Sequence, residues 1–443
     1  MSEITATANL LTEPSSCRYN IIEIQMHIFT YIFLIAVIIA YSMEFWLSRR
    51  QVDHVRAHSN AVPEAFKEAI SLQAHQKAAD YTIAKSRLGK IESALDCIVL
   101  LYFTLGGGIN VITGLWAPVA MPSVLTGVCV IMSAFLLIHI IDLPLSLYKT
   151  FVLEQQYGFN RSTPRQFFID EALELLLGLI IGAPLLALIL WVMESTGGWW
   201  WLLAWAIVVG FSLLMSWIFP TLIAPLFNTF TPLTDEQLKQ RIHSLLERCG
   251  FRSKGVFVMD GSRRSGHGNA YFTGIGSHKR IVFFDTLIES LEHEELEAVL
   301  AHELGHFKRR HVTKMLVATS LLSLVGFAIL GWLAEQPWFY NSLGVAEPSN
   351  AAALLLFILV APVFTVFLQP ITAAFQRKHE FEADDFASTF ANPAAMISAL
   401  VKLYRDNAST LTPDPLYSAF HYSHPPAAIR IANLSKKIEA AAS

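Results

Sequence analysis

Two histidines and a glutamate stand close together in the segment His302, Glu303, Leu304, Gly305, His306. In an α-helix, residues i and i+4 differ by about 40° around the axis, so both imidazoles share one face and can bind one metal ion. Neutral imidazole is a good zinc ligand, and a carboxylate beside the metal can take a proton from the water that attacks a peptide carbonyl. The spacing therefore predicts a zinc hydrolase with Glu303 as the catalytic base.

The five-residue pattern also occurs by chance, so its surroundings decide its meaning. The segment from Glu292 to Arg309 has the residue types of a strong helix, and an apolar run begins shortly after it. The alternative is two histidines on a solvated helix face beside an unrelated glutamate. The helical context favours the metal site.

A catalytic zinc site has three protein ligands, so a third ligand must come from elsewhere in the chain. The segment 377–386 offers His379, Glu380, Glu382, Asp384 and Asp385, and the pattern alone does not choose among them. On a helix, Glu380 and Asp384 share a face, whereas Glu382 is turned away by about 160°. This favours Glu380 as the ligand and Asp384 as a group that orients a histidine or an arginine. The alternative is a charged, solvated helix face.

The composition indicates a membrane protein. Of 443 residues, 53% are hydrophobic and only 15% are charged, and the mean hydropathy is +0.45. A soluble protein of this length needs more polar surface. The net charge of −4 gives no sign of a nucleic-acid partner. The four cysteines stand far apart, so we expect free thiols.

Seven apolar runs are long enough to cross a bilayer, which takes about 20 helical residues. They lie near 22–46, 93–117, 122–148, 171–193, 199–222, 312–334 and 350–375. Residues 1–21 lack the pattern of a signal peptide, so we expect the first span to remain in the mature protein.

Lysine and arginine accumulate on the cytoplasmic side of membrane proteins. They are frequent between the first two runs and in the loop after the third, but absent from 118–121, 194–198 and 335–349. This asymmetry predicts an outside N-terminus and a cytoplasmic C-terminus. The long polar segments 223–311 and 376–443 then share the cytoplasmic face, where they can form one domain.

The predicted organisation alternates membrane and catalytic parts: residues 1–222 hold spans one to five, 223–311 the first catalytic part, 312–375 spans six and seven, and 376–443 the second catalytic part. Within the first catalytic part, 233–248 reads as an amphipathic helix with Thr234 or Asp235 near its N-cap. The runs GVFVMDG and IVFFDTL read as strands, and NAYFTGIG reads as the other arm of a hairpin closed at 276–279.

Several separated motifs resemble one family. HELGH, EFEAD, GNAYFTG with RIVFFDTL, and SHPPAAIR together look like the type I CaaX prenyl endopeptidases and their membrane metalloprotease relatives. The resemblance implies one zinc ion per chain, held by His302, His306 and Glu380. It also implies that Asn269 and His424 stabilise the oxyanion, with Arg430 nearby as a structural or electrostatic partner.

Taken alone, the asparagine could be a turn residue and the histidine part of an X-Pro loop. We expect an extended substrate to pair with the edge of the 269–275 strand, which contains Tyr271 and Thr273. The fold implied by the resemblance is an all-α multi-pass membrane protein. Seven transmembrane helices form an α-barrel around an intramembrane chamber, capped by a small α+β zinc metalloprotease domain.

Ionisable residues in or near the predicted spans fit a wet interior, because such groups are costly in lipid unless they face water or partners. They are Asp96, His139, Asp142, Glu171 and Glu174. Snorkelling or placement at a helix end is the alternative, above all for Asp142 and Glu171.

We therefore expect a zinc endopeptidase that acts on membrane-associated peptides. The resemblance implies that its substrates are prenylated proteins and that it processes their C-terminal CaaX sequence. A quality-control protease without prenyl specificity is one alternative, and a transporter or scaffold with a structural zinc is another. The expected partners are membrane lipid and a peptide or protein substrate, with no nucleic acid, and the chain is expected to act as a monomer. The site should face the cytoplasm, from the inner membrane of a prokaryote or the endoplasmic reticulum of a eukaryote.

Overall fold

The structure, a computed structural model, describes residues 27–251, 253, 255–273 and 280–442. Helices dominate its first half. They are α1 (Ile28–Ala57), α2 (Leu72–Phe103), α3 (Gly108–Trp116), α4 (Ser123–Tyr148), α5 (Gln155–Tyr157), α6 (Pro164–Leu177), α7 (Ala183–Ser195), α8 (Trp200–Ile218) and α9 (Ala224–Phe227). Three π-helical turns, at Lys149–Glu154, Gly178–Gly182 and Phe219–Ile223, join α4 to α5, α6 to α7 and α8 to α9.

The second half combines a small sheet with further helices. The strands are β1 (Phe230–Pro232), β2 (Val256–Met259), β3 (Ala270–Thr273) and β4 (Arg280–Phe284). The helices are α10 (Glu236–Arg248), α11 (Asp285–Ser290), α12 (His293–Lys308), α13 (His311–Leu333), α14 (Pro337–Ser342), α15 (Asn350–Thr365), α16 (Gln369–Phe390), α17 (Pro393–Asp406), α18 (Pro415–His421) and α19 (Ala427–Ala442).

Within the described residues, six helices are long and apolar enough to cross a membrane, and there are seven if a bent pair counts as one span. Large apolar side chains such as Ile98, Leu179, Trp217 and Leu321 are exposed on them. Water would not solvate this much apolar surface, whereas lipid does. The predicted spans are therefore present, although residues 22–26 of the first lie outside the described part.

The second predicted span is the exception, because the run 93–117 is not one continuous helix. Helices α2 and α3 meet at an angle of 57°. Three glycines make the bend possible. Gly107 has a φ of +76°, and a Cβ at Gly106 would lie 2.9 Å from the Cα of Tyr102. Side chains at these positions would force the two backbones apart.

The sheet has the order β1-β2-β4-β3, which leaves β3 at an edge. Strands β2 and β4 run parallel, while β3 pairs antiparallel with β4, with Ala270 opposite Phe283. The predicted pairing of the two hairpin arms is confirmed, and its turn at 276–279 lies outside the described residues. Asp235 caps α10 through a 2.8 Å hydrogen bond from the Leu238 N–H, as one of the two predicted caps.

One face of this sheet packs on the helix that carries the two motif histidines. Ile281 and Phe283 of β4 share a buried apolar cluster with Leu300 and Leu304 of α12. A capping box formed by Glu292 and Glu295 starts α12 close to the predicted position. The sheet and the cap together fix where this helix lies and how it is rotated.

Candidate active site

Three potential ligands meet where α12 and α16 cross. His302 and His306 lie one turn apart on α12, and their Nε2 atoms are 3.1 Å from each other. Glu380 of α16 places Oε1 3.2 Å from His306 Nε2 and Oε2 3.4 Å from His302 Nε2. The three donor atoms all lie within 4.8 Å of one another, which is compact enough to hold one metal ion.

The chemistry of this cluster fits a cation. Glu380 is buried, and its Oε2 accepts no hydrogen bond from any described residue. A buried carboxylate oxygen without a donor is costly unless positive charge lies beside it; Arg430 Nη1, at 3.4 Å from Oε2, supplies part of that charge, and a cation held by the cluster would supply more. Two imidazoles and one carboxylate also form a donor set that leaves one position open for water or substrate, as catalytic zinc sites do.

A glycine allows the two helices to approach closely enough for this geometry. A Cβ on Gly305 would lie 2.9 Å from the Cα of Ala383 and 3.0 Å from its carbonyl oxygen. Real Cβ atoms do not approach backbone this closely, so a side chain at this position would push α16 away from α12. The glycine between the histidines therefore brings Glu380 within reach of them.

A buried ion pair contacts His302 at Nδ1, on the side of the ring away from Glu380. Asp384 is fully buried, and its Oδ1 lies 2.8 Å from His302 Nδ1. Arg430 of α19 donates to both oxygens of this carboxylate, at 2.9 and 2.6 Å. With Nδ1 engaged, the Nε2 atom of His302 faces Glu380. The structure thus brings together Asp384, Arg430 and a motif histidine as the helical spacing and the resemblance suggest.

Opposing effects set the proton affinity of His302. Burial lowers its pKa, but hydrogen bonds to Asp384 and Glu380 outweigh burial and raise the pKa to about 9. A cation that binds to His302 has to displace this proton, so metal binding and proton binding compete here.

Glu303 follows the first ligand on α12 and is largely buried. Burial raises its pKa, and the neighbouring imidazoles of His302 and His306 only partly offset that effect. A carboxylate with a raised pKa is a stronger base than a solvated one, which suits a group that accepts and returns a proton.

His424 reaches the cluster from the segment between α18 and α19. Its Nε2 atom lies 3.4 Å from Glu380 Oε1, and its Nδ1 lies 2.8 Å from the Ser423 hydroxyl. The chain just before His424 is held by Arg377 of α16. This side chain donates to three carbonyl oxygens, those of Ser418, Ala419 and Tyr422. These bonds fix the end of α18 and therefore the direction of the chain that carries His424.

A cavity of about 1210 Å³ opens beside this histidine. Its wall is formed by α1, α2 and the segment 404–424, with polar side chains that include Glu44, Lys85, Asp96 and His424. Asp96 thus faces this cavity, a placement that fits the expectation that an ionisable residue in a span faces water or partners. His139 and Glu171 pair at 3.0 Å between α4 and α6, so these two have partners rather than lipid around them.

The strand residues lie apart from the cluster. Asn269 is exposed, and its side-chain oxygen accepts a hydrogen bond from the next backbone N–H. Tyr271 lies on the face of β3 opposite Ala270 and Phe272, where it contacts Met259 and Phe284. The side chain of Thr273 lies outside the described part. The structure does not bring Asn269 or Tyr271 into contact with the cluster, and their roles remain predictions.

Sequence reasoning missed His311, which contacts the cluster from the other side, and it set aside Glu382, which contacts His311. His311 Nδ1 lies 3.1 Å from His306 Nδ1, and its Nε2 lies 3.0 Å from Glu382 Oε2. A third histidine five residues after the motif was the available signal. The helical argument set Glu382 aside because it considered α16 alone.

Two family models match successive parts of this chain. A family model described as the CAAX prenyl protease N-terminal domain, with five membrane helices, matches residues 51–229. A model of peptidase family M48 matches residues 232–438.

Two relatives cover nearly the whole chain. A protein named CAAX prenyl protease 1 homolog from rice, Oryza sativa, is 34% identical over 90% of this chain and 95% of its own length. CAAX prenyl protease 1 of Saccharomyces cerevisiae is 32% identical over 89% of this chain and 92% of its own.

The fold has a solved counterpart as well. The crystal structure of S. mikatae Ste24p superposes with a TM-score of 0.86 at 32% identity, covering 92% of this chain and 99% of that one. The expected chamber-type membrane fold with a metallopeptidase domain is thereby confirmed. The chain belongs to the CAAX prenyl protease family and is a multi-pass membrane metallopeptidase with a peptidase domain of family M48.

Proposed function

We propose that this chain is a zinc endopeptidase that processes the C-terminal CaaX region of prenylated proteins. The observation that carries the proposal is a three-donor cluster with Glu303 next to its first ligand, beside a large cavity that is lined by α1, α2 and the segment 404–424 and that includes His424. The names of the full-length relatives support the substrate class. Among the described residues the cluster has three ligands rather than four, which argues against a structural zinc, because four protein ligands enclose such a site.

In this proposal one zinc ion is held by His302, His306 and Glu380, and it polarises the peptide carbonyl when bound. Glu303 accepts a proton from the attacking water and returns it to the leaving amine. Asp384 and Arg430 keep His302 oriented throughout.

His424 donates from Nε2 to the oxyanion that forms on the substrate carbonyl. The hydroxyl of Ser423 favours this tautomer by donating to Nδ1. Asn269 would be the second donor to this oxyanion. For Asn269 to reach it, binding of the peptide would have to bring β3 closer to the metal cluster. The peptide adds to the sheet at the free edge of β3, beside Tyr271 and Thr273.

We further propose that the site faces the cytoplasm and that one chain suffices for activity. The distribution of lysine and arginine between the spans supports the orientation. The three potential ligands of one chain lie close enough to hold an ion without a residue from a second copy, which supports a working monomer. Its partners are then a prenylated peptide and the lipid that surrounds the exposed apolar side chains of the membrane helices.

The test compares a farnesylated CaaX peptide with its unmodified twin, using purified protein with and without a chelator. We expect the lipidated peptide to be cleaved preferentially and the chelator to stop cleavage. Glu303→Ala should lower kcat by about 10²- to 10⁴-fold, the range of a lost general base, while zinc content stays at one ion per chain. The exposed Glu289 provides the matched control, and Glu289→Ala should leave both quantities unchanged.

Equal cleavage of both peptides would contradict CaaX processing and favour a quality-control protease. Unchanged cleavage in Glu303→Ala would contradict the mechanism. Zinc retained without any cleavage in the unmodified protein would favour the transporter or scaffold alternative.

A further inference from the structure

The second motif histidine has a support of its own, built from residues outside the motif. His311, the first residue of α13, has a side chain that is only 3% exposed. Its Nδ1 atom faces His306 Nδ1 at 3.1 Å, and its Nε2 atom faces Glu382 Oε2 at 3.0 Å. Glu382, His311 and His306 therefore form a line of successive contacts, from a carboxylate through an imidazole to a potential metal ligand.

The backbone turns sharply to place His311 there. Arg310, between α12 and α13, has φ 57° and ψ 34°, a left-handed conformation that is uncommon for any residue other than glycine. Among the described residues, only one other non-glycine residue, Ala408, has a positive φ. The turn returns the chain toward α12, so that the side chain of His311 reaches back to His306.

Hydrogen-bond chemistry allows one consistent proton assignment along this line. A metal ion on His306 Nε2 leaves a proton on Nδ1, which must be donated. His311 can accept it at Nδ1 only when its own proton is on Nε2. That proton then points at Glu382, which accepts it. Each ring nitrogen then has a partner, and the carboxylate of Glu382 also faces the ammonium groups of Lys314 and Lys378, at 3.8 and 4.0 Å.

We propose that His311 and Glu382 are positioning residues that orient His306 for metal binding. They act as the counterpart of Asp384 and Arg430 behind His302. The proposal rests on the metal site of the proposed function. It adds that both histidine ligands are held through Nδ1, one by a carboxylate directly and the other through an intervening imidazole.

The same contacts would also tie α13 to α16, so the test must separate orientation of a ligand from general packing. His379 offers a matched control. Its ring stacks on His311 at a centroid distance of 4.0 Å, and no hydrogen bond to His306 is observed from it. His379→Phe keeps the stacked ring and leaves the line from Glu382 to His306 intact.

Three variants of the full-length protein are compared with that control. His311→Phe keeps an aromatic ring but removes both nitrogens, and Glu382→Gln keeps an acceptor but removes the charge. His311→Asn restores an acceptor near the position of Nδ1. Zinc affinity is measured by competition with a chelator, the ligand geometry by visible absorption of the cobalt-substituted protein, and folding by the thermal midpoint.

We expect His311→Phe to weaken zinc affinity by about 10- to 100-fold, the range for lost outer-shell partners, and to change the cobalt spectrum. Glu382→Gln should lower zinc affinity less than His311→Phe does. His311→Asn should recover part of the zinc affinity that His311→Phe loses. His379→Phe should bind zinc within about twofold of the unmodified protein. For His311→Phe, kcat at saturating zinc should fall while KM for the peptide stays unchanged.

Unchanged zinc affinity and cobalt spectrum in a folded His311→Phe protein would overturn the proposal. An equal loss of zinc in His379→Phe would show that packing alone is involved and would overturn it as well. Glu382 is partly exposed, so Glu382→Gln provides a reading if His311→Phe does not fold. Failure of the proposed function is separate, since it would appear as absent cleavage in the unmodified protein with zinc bound.

Discussion

At the scale of single residues, Asp414 shows how the soluble part is attached to the first membrane helix. This buried carboxylate caps α18 and accepts hydrogen bonds from the N–H groups of Leu416 and Tyr417. Arg50 of α1 pairs with it at 2.9 Å. The segment that carries His424 begins here, so this attachment bears on the site.

The pH dependence of stability follows from this carboxylate. Burial raises the pKa of Asp414, but the Tyr417 N–H and Arg50 outweigh burial and lower the pKa below its ordinary value. The ionised form is therefore favoured in the folded state. Its contribution is complete above about pH 5 and is lost as pH falls through the unfolded value near 3.9 and then the lower folded value.

We expect Asp414→Asn to lower the thermal midpoint at pH 7, since asparagine can still cap α18 but cannot pair with Arg50. The difference from the unmodified protein should shrink as pH falls from about 5 to 3, and thermal unfolding across this range measures it. A difference that stays constant with pH would show that the charge of Asp414 does not stabilise the fold.

The proximity of several site residues follows from local spacing. Positions 302 and 306 share a helix face, as do 380 and 384, because one helix fixes each pair. The contact between Glu382 and His311 joins α16 to the start of α13, so no argument from one helix could find it. Asn269 illustrates the same limit, because its distance from the cluster depends on how the sheet packs.

At the scale of elements, the crossing of α12 and α16 depends on Gly305. We expect Gly305→Ala to lower zinc affinity and to destabilise the protein by about 1–3 kcal/mol, because an added Cβ would overlap with Ala383 and displace Glu380. Chelator competition and thermal unfolding measure the two effects.

Gly326 provides the control for this substitution. It lies inside α13, and a Cβ there would be 3.8 Å from the nearest atom, on Phe357. Gly326→Ala should therefore be neutral or slightly stabilising, since alanine favours a helix. Equal effects of the two substitutions would contradict a specific role for the close crossing.

Hydropathy predicts the spans well but not their internal breaks. A window of about 20 residues averages over Gly106, Gly107 and Gly108, so the bend between α2 and α3 disappears into one apolar run. The π-helical turns are hidden for the same reason. The turn before α7 contains Gly178 and Gly182 and precedes Pro184, whose ring disturbs the preceding turn of a regular helix.

At the scale of the whole molecule, the orientation in the membrane gives a direct test. The exposed residues His243 of α10 and Glu347, between α14 and α15, should lie on opposite sides. In a cysteine-free background, His243→Cys should react with an impermeant thiol reagent only after the membrane is opened, and Glu347→Cys should react in sealed cells. The reverse pattern would place the site outside.

The sequence predicts the number of spans and the polar catalytic segments, because both depend on composition over long windows. The cavity between α1, α2 and the segment 404–424 could not be derived from those windows, since its walls are far apart in the chain. It was expected only through the family resemblance. Asp96, which lines it, signalled a polar environment in the sequence without showing the shape of the cavity.

The two halves of the metal cluster lie on either side of two membrane helices in the chain. His302 and His306 come before α13 and α15, while Glu380, His424 and Arg430 come after them. During synthesis, the three ligands therefore cannot come together until both of these helices and Glu380 have been made. We therefore expect a nascent chain to lack peptidase activity while it still lacks Glu380.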